Sequence, residues 1–441
     1  MRSPDSPLVW LVRKEWRELM ASRAWWVMLA AIGPLVGVSF ISAVRTYAEA
    51  SGLGGTAAGV GEAFSPLIGV WAPTFSACEL AAAFLLPFVG IRLVAGDAQS
   101  GALKLELQQR LSTRVRVIAK GGVLIAGWAI ASLAPLAAIL SWIAYGGSVY
   151  VPELLTVAVG HFLNAGLTIA LAAATAALTE HPSTAAILTL TVTVGTWILN
   201  FIAAVHGGFW ERAAGYTPTA MVAEFQHGLI RLDVVLTALA LIAGGLGIAA
   251  VWMRLGVSVR RRAVESVAIG FVTALLIVAF SFLRPSWDLS EARSNSFSRA
   301  DEQMLRHIDR PLLVEVHLAP EDPRRSDLER NALSKLRRVM PDLRVQYVST
   351  TTIGLFEQTR EHYGEIWYQF GDRKEMSRAT TADGVLEAVY SVAGLERSAE
   401  EDDDVFRGHP LATPPRHADK VFYGLWPATV LAAAFIVRRR G

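Results

Sequence analysis

Long apolar runs alternate with short polar segments along most of this chain. A helix that crosses the hydrocarbon core of a bilayer needs about 20 mostly apolar residues, because each residue adds about 1.5 Å along the axis. Such a helix also pairs its backbone groups internally, which the apolar core requires. The pattern predicts about eight crossing helices, which lie at 25–44, 72–94, 121–145, 154–178, 185–205, 234–252, 266–283 and 421–437. We therefore expect an α-helical polytopic membrane protein.

A different pattern occupies residues 284–420, where short apolar runs alternate with polar residues. Short alternating elements of this kind are typical of a water-soluble domain. The predicted order is a strand at 312–318, a helix at 326–340, a strand at 343–348, a hairpin around Gly371 and an amphipathic helix at 385–392. The first three elements form a β-α-β unit. We therefore predict an α/β domain inserted between the seventh and eighth crossing helices.

Lys and Arg residues are unevenly distributed among the segments that join the apolar runs. Segments rich in these residues resist translocation and stay in the cytoplasm. The rich segments lie around 13–23, 92–120, 254–262 and 438–440. The opposite short loops hold little beyond Arg45, Arg212 and Arg231. An even number of crossings then predicts that both termini are cytoplasmic and that the α/β domain is extracytoplasmic.

The composition agrees with a membrane protein. Of 441 residues, 53% are hydrophobic and only 18% are charged, which is too apolar for an ordinary soluble protein. The formal net charge of +2 gives no global basic field, so we expect no nucleic-acid partner. The one cysteine, Cys78, lies in an apolar run, so the α/β domain must be stable without an internal disulfide.

Motifs for nucleotide binding and catalysis do not occur in the sequence. A phosphate-binding loop ends in a glycine followed by Lys and a hydroxyl residue. Gly96 and Gly101 have the glycine spacing, but Ala102 and Leu103 fill the next two positions, so we expect no ATP binding by this chain itself. The nine histidines are scattered, and we assign no catalytic residue, metal site or cofactor. Consecutive acids at 401–404 favour a solvated linker over a calcium site.

Ionisable groups inside a crossing helix are costly and are candidates for function. Glu79 lies within the second apolar run. It is either part of a substrate or proton path, or a carboxylate near the outer interface that is protonated or hydrogen-bonded to a neighbouring helix. His161, Asn164 and Asn200 are interpreted as groups that hydrogen-bond between helices.

Three segments carry a resemblance to a known family. Residues 8–19 form an amphipathic, basic stretch that includes Lys14, Glu15 and Arg17. A loop follows the second apolar run, and its marker residues are Asp97, Ser100, Gly101, Leu103, Lys104, Arg110, Ser112 and Arg114. The third segment is 216–220, with Gly228 before the sixth run. These segments resemble the elbow helix, first cytoplasmic loop and external loop of permease subunits of type-2 ABC exporters. Asp97 and Ala102 replace the family's usual glutamate and threonine.

Residues 288–311 add a subfamily signal, because they resemble the start of the auxiliary domain of gliding-motility-type ABC systems. In those systems the auxiliary domain usually sits on its own membrane-anchored chain, whereas here it is fused to the permease. Permeases for multicopper-enzyme maturation are also similar over the first six runs. The resemblance implies an elbow helix at 1–24, a six-helix permease domain at 25–254, a linker and seventh helix at 255–283, the auxiliary domain at 284–420, and an eighth helix with a basic tail at 421–441.

The leading hypothesis is a permease subunit in a bacterial inner membrane, powered by a separate ABC ATPase dimer that binds the ATP. The resemblance implies pairing with a second permease copy or a related permease, and docking of the ATPase on the loop 97–116. Export or hand-over of a substrate is the expected activity. The alternative is a mechanical component that uses the partner's ATP hydrolysis to act on an extracytoplasmic protein partner without moving a solute.

Overall fold

The computed structural model describes residues 6–50, 65–100, 111–206, 208–308, 310–319, 322–340, 342–348, 362–396, 409, 411 and 416–440, without the side chains of 97–100 and 440. The acidic tract at 401–404 and most of the predicted linker lie outside these residues. The chain forms two compact units. The helical unit comprises Met1–Thr196, Met221–Pro285 and Arg407–Gly441, and the α/β unit comprises Trp197–Ala220 and Ser286–Phe406. The sequence boundaries instead place 197–220 within the permease domain.

The described residues contain eight helices that are long and apolar enough to cross a membrane, one at each predicted position. They are Arg23–Ala48, Leu67–Gly96, Thr113–Ala144, Val151–Leu178, Pro182–His206, Leu232–Trp252, Val259–Phe280 and Lys420–Arg439. The third and seventh begin earlier than their apolar runs. The reason is that helical backbone continues through basic residues, such as Lys120 and Arg261, which lower the hydropathy of a segment without ending a helix.

The secondary structure is numbered in chain order. The helices are α1 (Pro7–Ala21), α2 (Arg23–Ala48), α3 (Ala72–Phe84), α4 (Leu86–Ser100), α5 (Thr113–Ala131), α6 (Leu133–Ala144), α7 (Val151–Leu178), α8 (Pro182–His206), α9 (Phe209–Ala214), α10 (Pro218–Gln226), α11 (Leu232–Trp252), α12 (Val259–Phe280), α13 (Arg299–Arg306), α14 (Pro323–Leu328), α15 (Ser334–Val339), α16 (Ala382–Ala393) and α17 (Trp426–Arg440). The strands are β1 (Leu229–Arg231), β2 (Ser286–Asp288), β3 (Leu313–Val316), β4 (Arg344–Tyr347), β5 (Ile366–Phe370) and β6 (Arg373–Ser377). Short π-helical segments lead into α3, α15 and α17.

Helix α7 lies at the centre of the helical unit and packs against α3, α4, α5 and α11. Its small residues allow this close approach. A Cβ added at Gly166 would lie 2.8 Å from Ile242, and one added at Gly245 of α11 would lie 3.0 Å from Ala170. Their lack of a side chain brings the backbones together, and dispersion contacts then hold them.

Helices α2 and α17 form a second close contact, although they lie at opposite ends of the chain. A Cβ added at Gly33 would lie 2.0 Å from the Trp426 side chain. One added at Gly37 would lie 2.4 Å from the Cβ of Phe422. The indole Nε1 of Trp426 also donates a hydrogen bond to the carbonyl oxygen of Leu29, at 2.7 Å. The last crossing helix is therefore attached directly to the first.

The α/β unit contains a four-stranded sheet in the order β4-β3-β5-β6. Strands β3 and β4 are parallel, which confirms the predicted β-α-β unit, and β5 and β6 form the predicted antiparallel hairpin. Gly371, with φ of 57°, supplies the left-handed residue in its turn. One face of the sheet packs with α14, α15 and α16 in a single core through Val314, Val316, Ile366, Tyr368 and Phe370.

The contact between α2 and α17 predicts a large effect of a small substitution. We expect Gly37→Ala to lower the free energy of unfolding by about 1–3 kcal/mol, because the new methyl group would overlap the base of the Phe422 side chain. Thermal unfolding of the purified protein in detergent measures this loss. The matched control is Gly270→Ala in α12, where an added Cβ meets open space. Equal midpoints for the two variants would contradict the contact.

Candidate functional site

Helix α1 begins at a defined cap and packs one face against the helical unit. The backbone N–H of Val9 donates to Ser6 Oγ at 3.4 Å, and Pro7 occupies the first helical position. The buried side chains are Leu11, Glu15 and Leu19, which follow one another at four-residue spacing. The amphipathic helix predicted at 8–19 is thus present, and the exposed apolar side chains on it are Leu8, Val9, Trp10 and Val12.

The acidic residue on this buried face forms an ion pair with α5. Glu15 is fully buried and Lys120 is 1% exposed. Lys120 Nζ donates to Glu15 Oε2 at 2.7 Å and to the carbonyl oxygen of Leu93 in α4 at 3.0 Å. Lys14 Nζ lies 3.4 Å from the other carboxylate oxygen of Glu15. One ammonium group therefore joins α1, α4 and α5, and we call this arrangement the three-helix junction.

Burial makes the junction hard to open. Removing one partner of a buried ion pair leaves an uncompensated charge and costs about 3–5 kcal/mol, whereas an exposed pair contributes about 0–1 kcal/mol. Sequence reasoning placed Glu15 on an interfacial surface and Lys120 in a basic loop, and it missed their pairing. The sequence of α1 does indicate that Glu15 is buried, because the spacing of Leu11, Glu15 and Leu19 puts its carboxylate on the apolar face of the helix.

The predicted ATPase-coupling residues lie just beyond the junction. Asp97 and Ser100 belong to the last turns of α4, with side chains outside the described atoms, and Gly101, Leu103, Lys104 and Arg110 lie outside the described residues. On the far side of the loop, the N–H of Val115 donates to Ser112 Oγ at 3.4 Å, so Ser112 caps α5. Arg114 is exposed on the first turn, and Arg116 is buried.

Two of the remaining candidates, Glu79 and His161, lie in the helical unit, and Asn200 belongs to the α/β unit. Glu79 is half-buried on α3. The ring of His161 packs against Phe75, with centroids 5.1 Å apart, and its Nε2 lies 3.4 Å from Gln226 Nε2. This contact links α7 to α10 and confirms the hydrogen-bonding interpretation of His161. In the α/β unit, Thr217 Oγ1 donates to Asn200 Oδ1 at 2.9 Å, so Asn200 of α8 pairs with the bend before α10 and not with another helix.

An open cleft follows the basic face of α1 and has a volume of about 430 Å³. Its lining residues are Trp10, Arg13, Lys14, Arg17, Glu18 and Ala21. Lys14 also pairs with Glu18 at 3.0 Å, in the spacing of one helical turn. The cleft thus contains two of the three predicted elbow residues, Lys14 and Arg17, and the third, Glu15, faces the junction. Its mixture of cationic and apolar groups suits an amphipathic helix at a membrane surface.

The ion pair predicts a specific pattern of stability. We expect Lys120→Met to lower the free energy of unfolding by about 3–5 kcal/mol, because it leaves the Glu15 carboxylate buried without its main counter-charge. The double variant Glu15→Gln/Lys120→Met should lose less than the sum of the single losses. Thermal or denaturant unfolding in detergent measures both. Arg114→Met, which changes an exposed cation of the same helix, is the control, and a loss equal to that of Lys120→Met would contradict the junction.

The three-helix junction suits mechanical coupling. Its charges neutralise one another, and the described residues contain no group of three or more His, Cys, Asp and Glu side chains placed to hold a metal ion. Leu93 and Lys120 lie in α4 and α5, the two helices that precede and follow the loop, so one ammonium group joins both helices to α1. The sequence matches no known family model, and no curated protein matches it at significant similarity.

Proposed function

We propose that this protein is the permease subunit of an ABC exporter and that a separate ATPase drives it through the loop 97–116. The observation that carries the proposal is the three-helix junction. It lies at the base of that loop and ties the loop's two helices, α4 and α5, to the N-terminal helix α1. The motif resemblance of the loop and of α1 supports the same assignment. A second permease, either another copy of this chain or a related one, completes the transport unit.

The junction supplies a route for the coupling. ATP-driven closure of the ATPase would push on the loop, and α4 and α5 would move as the loop moves. Because the Glu15–Lys120 pair is buried, separating its two charges is costly. Helix α1 would therefore follow α5 as one body. Leu19 of α1 and Trp25 of α2 both lie against Gly127 of α5, so this motion would continue into α2.

The proposal places the protein in a bacterial inner membrane, with both termini in the cytoplasm and residues 284–420 outside. Basic residues support this orientation, because they lie at the far ends of the two helices that flank the inserted domain. Arg260, Arg261 and Arg262 lie in the first turn of α12, and Arg438 and Arg439 lie in the last turn of α17. Cytoplasmic positions for these residues follow the general bias of Lys and Arg in membrane proteins. The chain between the two helices then lies on the opposite side.

A second candidate function is mechanical action on an envelope complex, without transport of a solute. One set of contacts favours it. The segment that follows the inserted domain is held by the helical unit: Tyr47 Oη donates to the carbonyl oxygen of His409 at 2.8 Å, Tyr145 Oη donates to that of Arg416 at 3.0 Å, and Leu411 is 3% exposed. Movement of α2 would reach this segment directly. Stable envelope-protein partners without a transported molecule would favour this function over export.

The coupling proposal predicts a loss of ATPase stimulation. We expect charge reversal at Asp97, Arg110 and Arg114 to reduce the turnover of the ATPase that co-purifies with this chain by at least about fivefold, because a coupling free energy of 1–3 kcal/mol is typical. The measurement is ATP hydrolysis by the complex in nanodiscs, together with the yield of the complex. Arg330→Glu, on an exposed position of the α/β unit, is the control. Unchanged turnover and a stable complex would argue against coupling at this loop.

The proposed orientation predicts opposite labelling of two exposed positions. In a Cys78→Ser background, which removes the chain's one cysteine, Met376→Cys should react with a membrane-impermeant maleimide on cells whose inner membrane is intact. Arg114→Cys should react only after that membrane is permeabilised. Both native side chains are exposed, so accessibility depends on the side of the membrane. Equal labelling before permeabilisation would overturn the orientation.

A further inference from the structure

The short helix α9 exposes an unusual amount of aromatic surface. Phe209 is 68% exposed, Trp210 is 44% exposed and Tyr216, just beyond the helix, is 42% exposed. The rings of Phe209 and Trp210 stack edge to face, with centroids 5.6 Å apart. Arg212 is exposed on the same helix. Two packed aromatic rings that are exposed together on one short helix point to a contact surface.

The position of α9 in the chain indicates what covers that surface. The helix starts shortly after α8 ends at His206, and α8 is long and apolar enough to cross a membrane. A segment that begins immediately beyond such a helix lies at the depth of the lipid head groups. Trp and Tyr are enriched at that depth because their rings have an apolar body and a polar edge. A cationic residue beside them adds attraction to phosphate groups.

One side chain of the α/β unit connects its sheet and helices to α9. Arg325, in α14, has a side chain that is 9% exposed and donates to Glu211 Oε2 at 2.9 Å. Its guanidinium also lies over the ring of Tyr347, 3.9 Å from the centroid. The planar guanidinium can make both contacts at once, since it stacks on one face and donates at its edge.

The aromatic partner of Arg325 is itself held in place. Tyr347 Oη donates to Glu329 Oε2 at 2.7 Å, and Arg337 pairs with the same carboxylate. Burial and the nearby Glu329 carboxylate raise the pKa of Tyr347 to about 12, so its hydroxyl stays protonated and remains a donor. The ring therefore has a defined orientation when Arg325 stacks on it. We call Arg325, Glu211 and Tyr347 the domain latch.

We propose that α9 is a lipid-interface anchor, in which Phe209 and Trp210 insert among the head groups of the bilayer and the domain latch fastens the α/β domain to that helix. The proposal rests on the membrane assignment made above. It adds a lipid contact and a defined attachment point for the inserted domain. The end of α8 belongs to the same compact unit as the sheet, so it is expected to follow the domain when the domain moves.

The lipid contact is tested by single spin labels on the full-length protein. Phe209→Cys and Trp210→Cys, each in the Cys78→Ser background, are reconstituted in nanodiscs of phosphatidylethanolamine and phosphatidylglycerol. Collision with oxygen, which concentrates in lipid, is compared with collision with a water-soluble nickel chelate. Tyr363→Cys is the reference, because Tyr363 is an exposed aromatic residue elsewhere in the α/β unit, at 40% exposure. We expect a severalfold higher oxygen-to-nickel ratio at 209 and 210 than at 363.

Two outcomes would overturn the lipid anchor. A nickel accessibility at 209 and 210 equal to that at 363 would mean that α9 faces water. Low accessibility to both reagents would mean that protein covers α9, from a second copy or another partner. Neither readout involves an ATPase or depends on which side of the membrane α9 occupies. Failure of the anchor is therefore distinguishable from failure of the proposed transport function.

The latch is tested by hydrogen exchange at α9. We expect Arg325→Gln and Glu211→Gln each to speed amide exchange in residues 209–214, and the double variant to be no faster than either single variant. The matched control is Arg324→Gln, because Arg324 is the exposed neighbour that pairs with Asp322. Additive effects in the double variant, or an equal change in the control, would overturn the latch.

Discussion

A charged side chain that is buried needs an oppositely charged partner, and this constraint determines how the helices of the N-terminal part of the molecule pack. Glu15 and Lys120 are both buried, and neither would be tolerated there alone. Their pairing sets the position of α1 on α5, and the hydrogen bond from Lys120 to Leu93 sets the position of α4. Leu11 and Leu19 then pack on either side of the carboxylate. The helices that flank the proposed coupling loop thus share one electrostatic contact.

The α/β unit also contains an ion pair between elements, but this pair is more exposed and therefore weaker. Arg325 is mostly buried, but the side chain of Glu211 is 46% exposed, so water and salt screen that pair. Exposed pairs contribute little to stability, whereas buried pairs are costly to break. The three-helix junction is therefore suited to move as a rigid body. The domain latch is partly exposed and is therefore the weaker of the two contacts.

Close packing through glycine complements these ionic contacts. Gly33 and Gly37 let Trp426 and Phe422 reach the backbone of α2, so the last helix is held by the first. The segment around His409 and Leu411 is held by the same region of the helical unit. Helix α2 therefore contacts both the last crossing helix and His409, which follows the inserted domain in the chain.

The sequence by itself determined the helices and strands, because their hydrophobic patterns involve residues that are close together in the chain. Apolar runs predicted the eight long helices found among the described residues, and alternation predicted the β-α-β unit and the hairpin at Gly371, because both patterns depend on neighbouring residues. Only the tertiary structure decided which distant residues meet. Lys120 could have faced water like Arg114, and nothing near Gly37 in the chain indicates Phe422. Contacts of this kind depend on how whole helices pack, and a single sequence does not record that geometry.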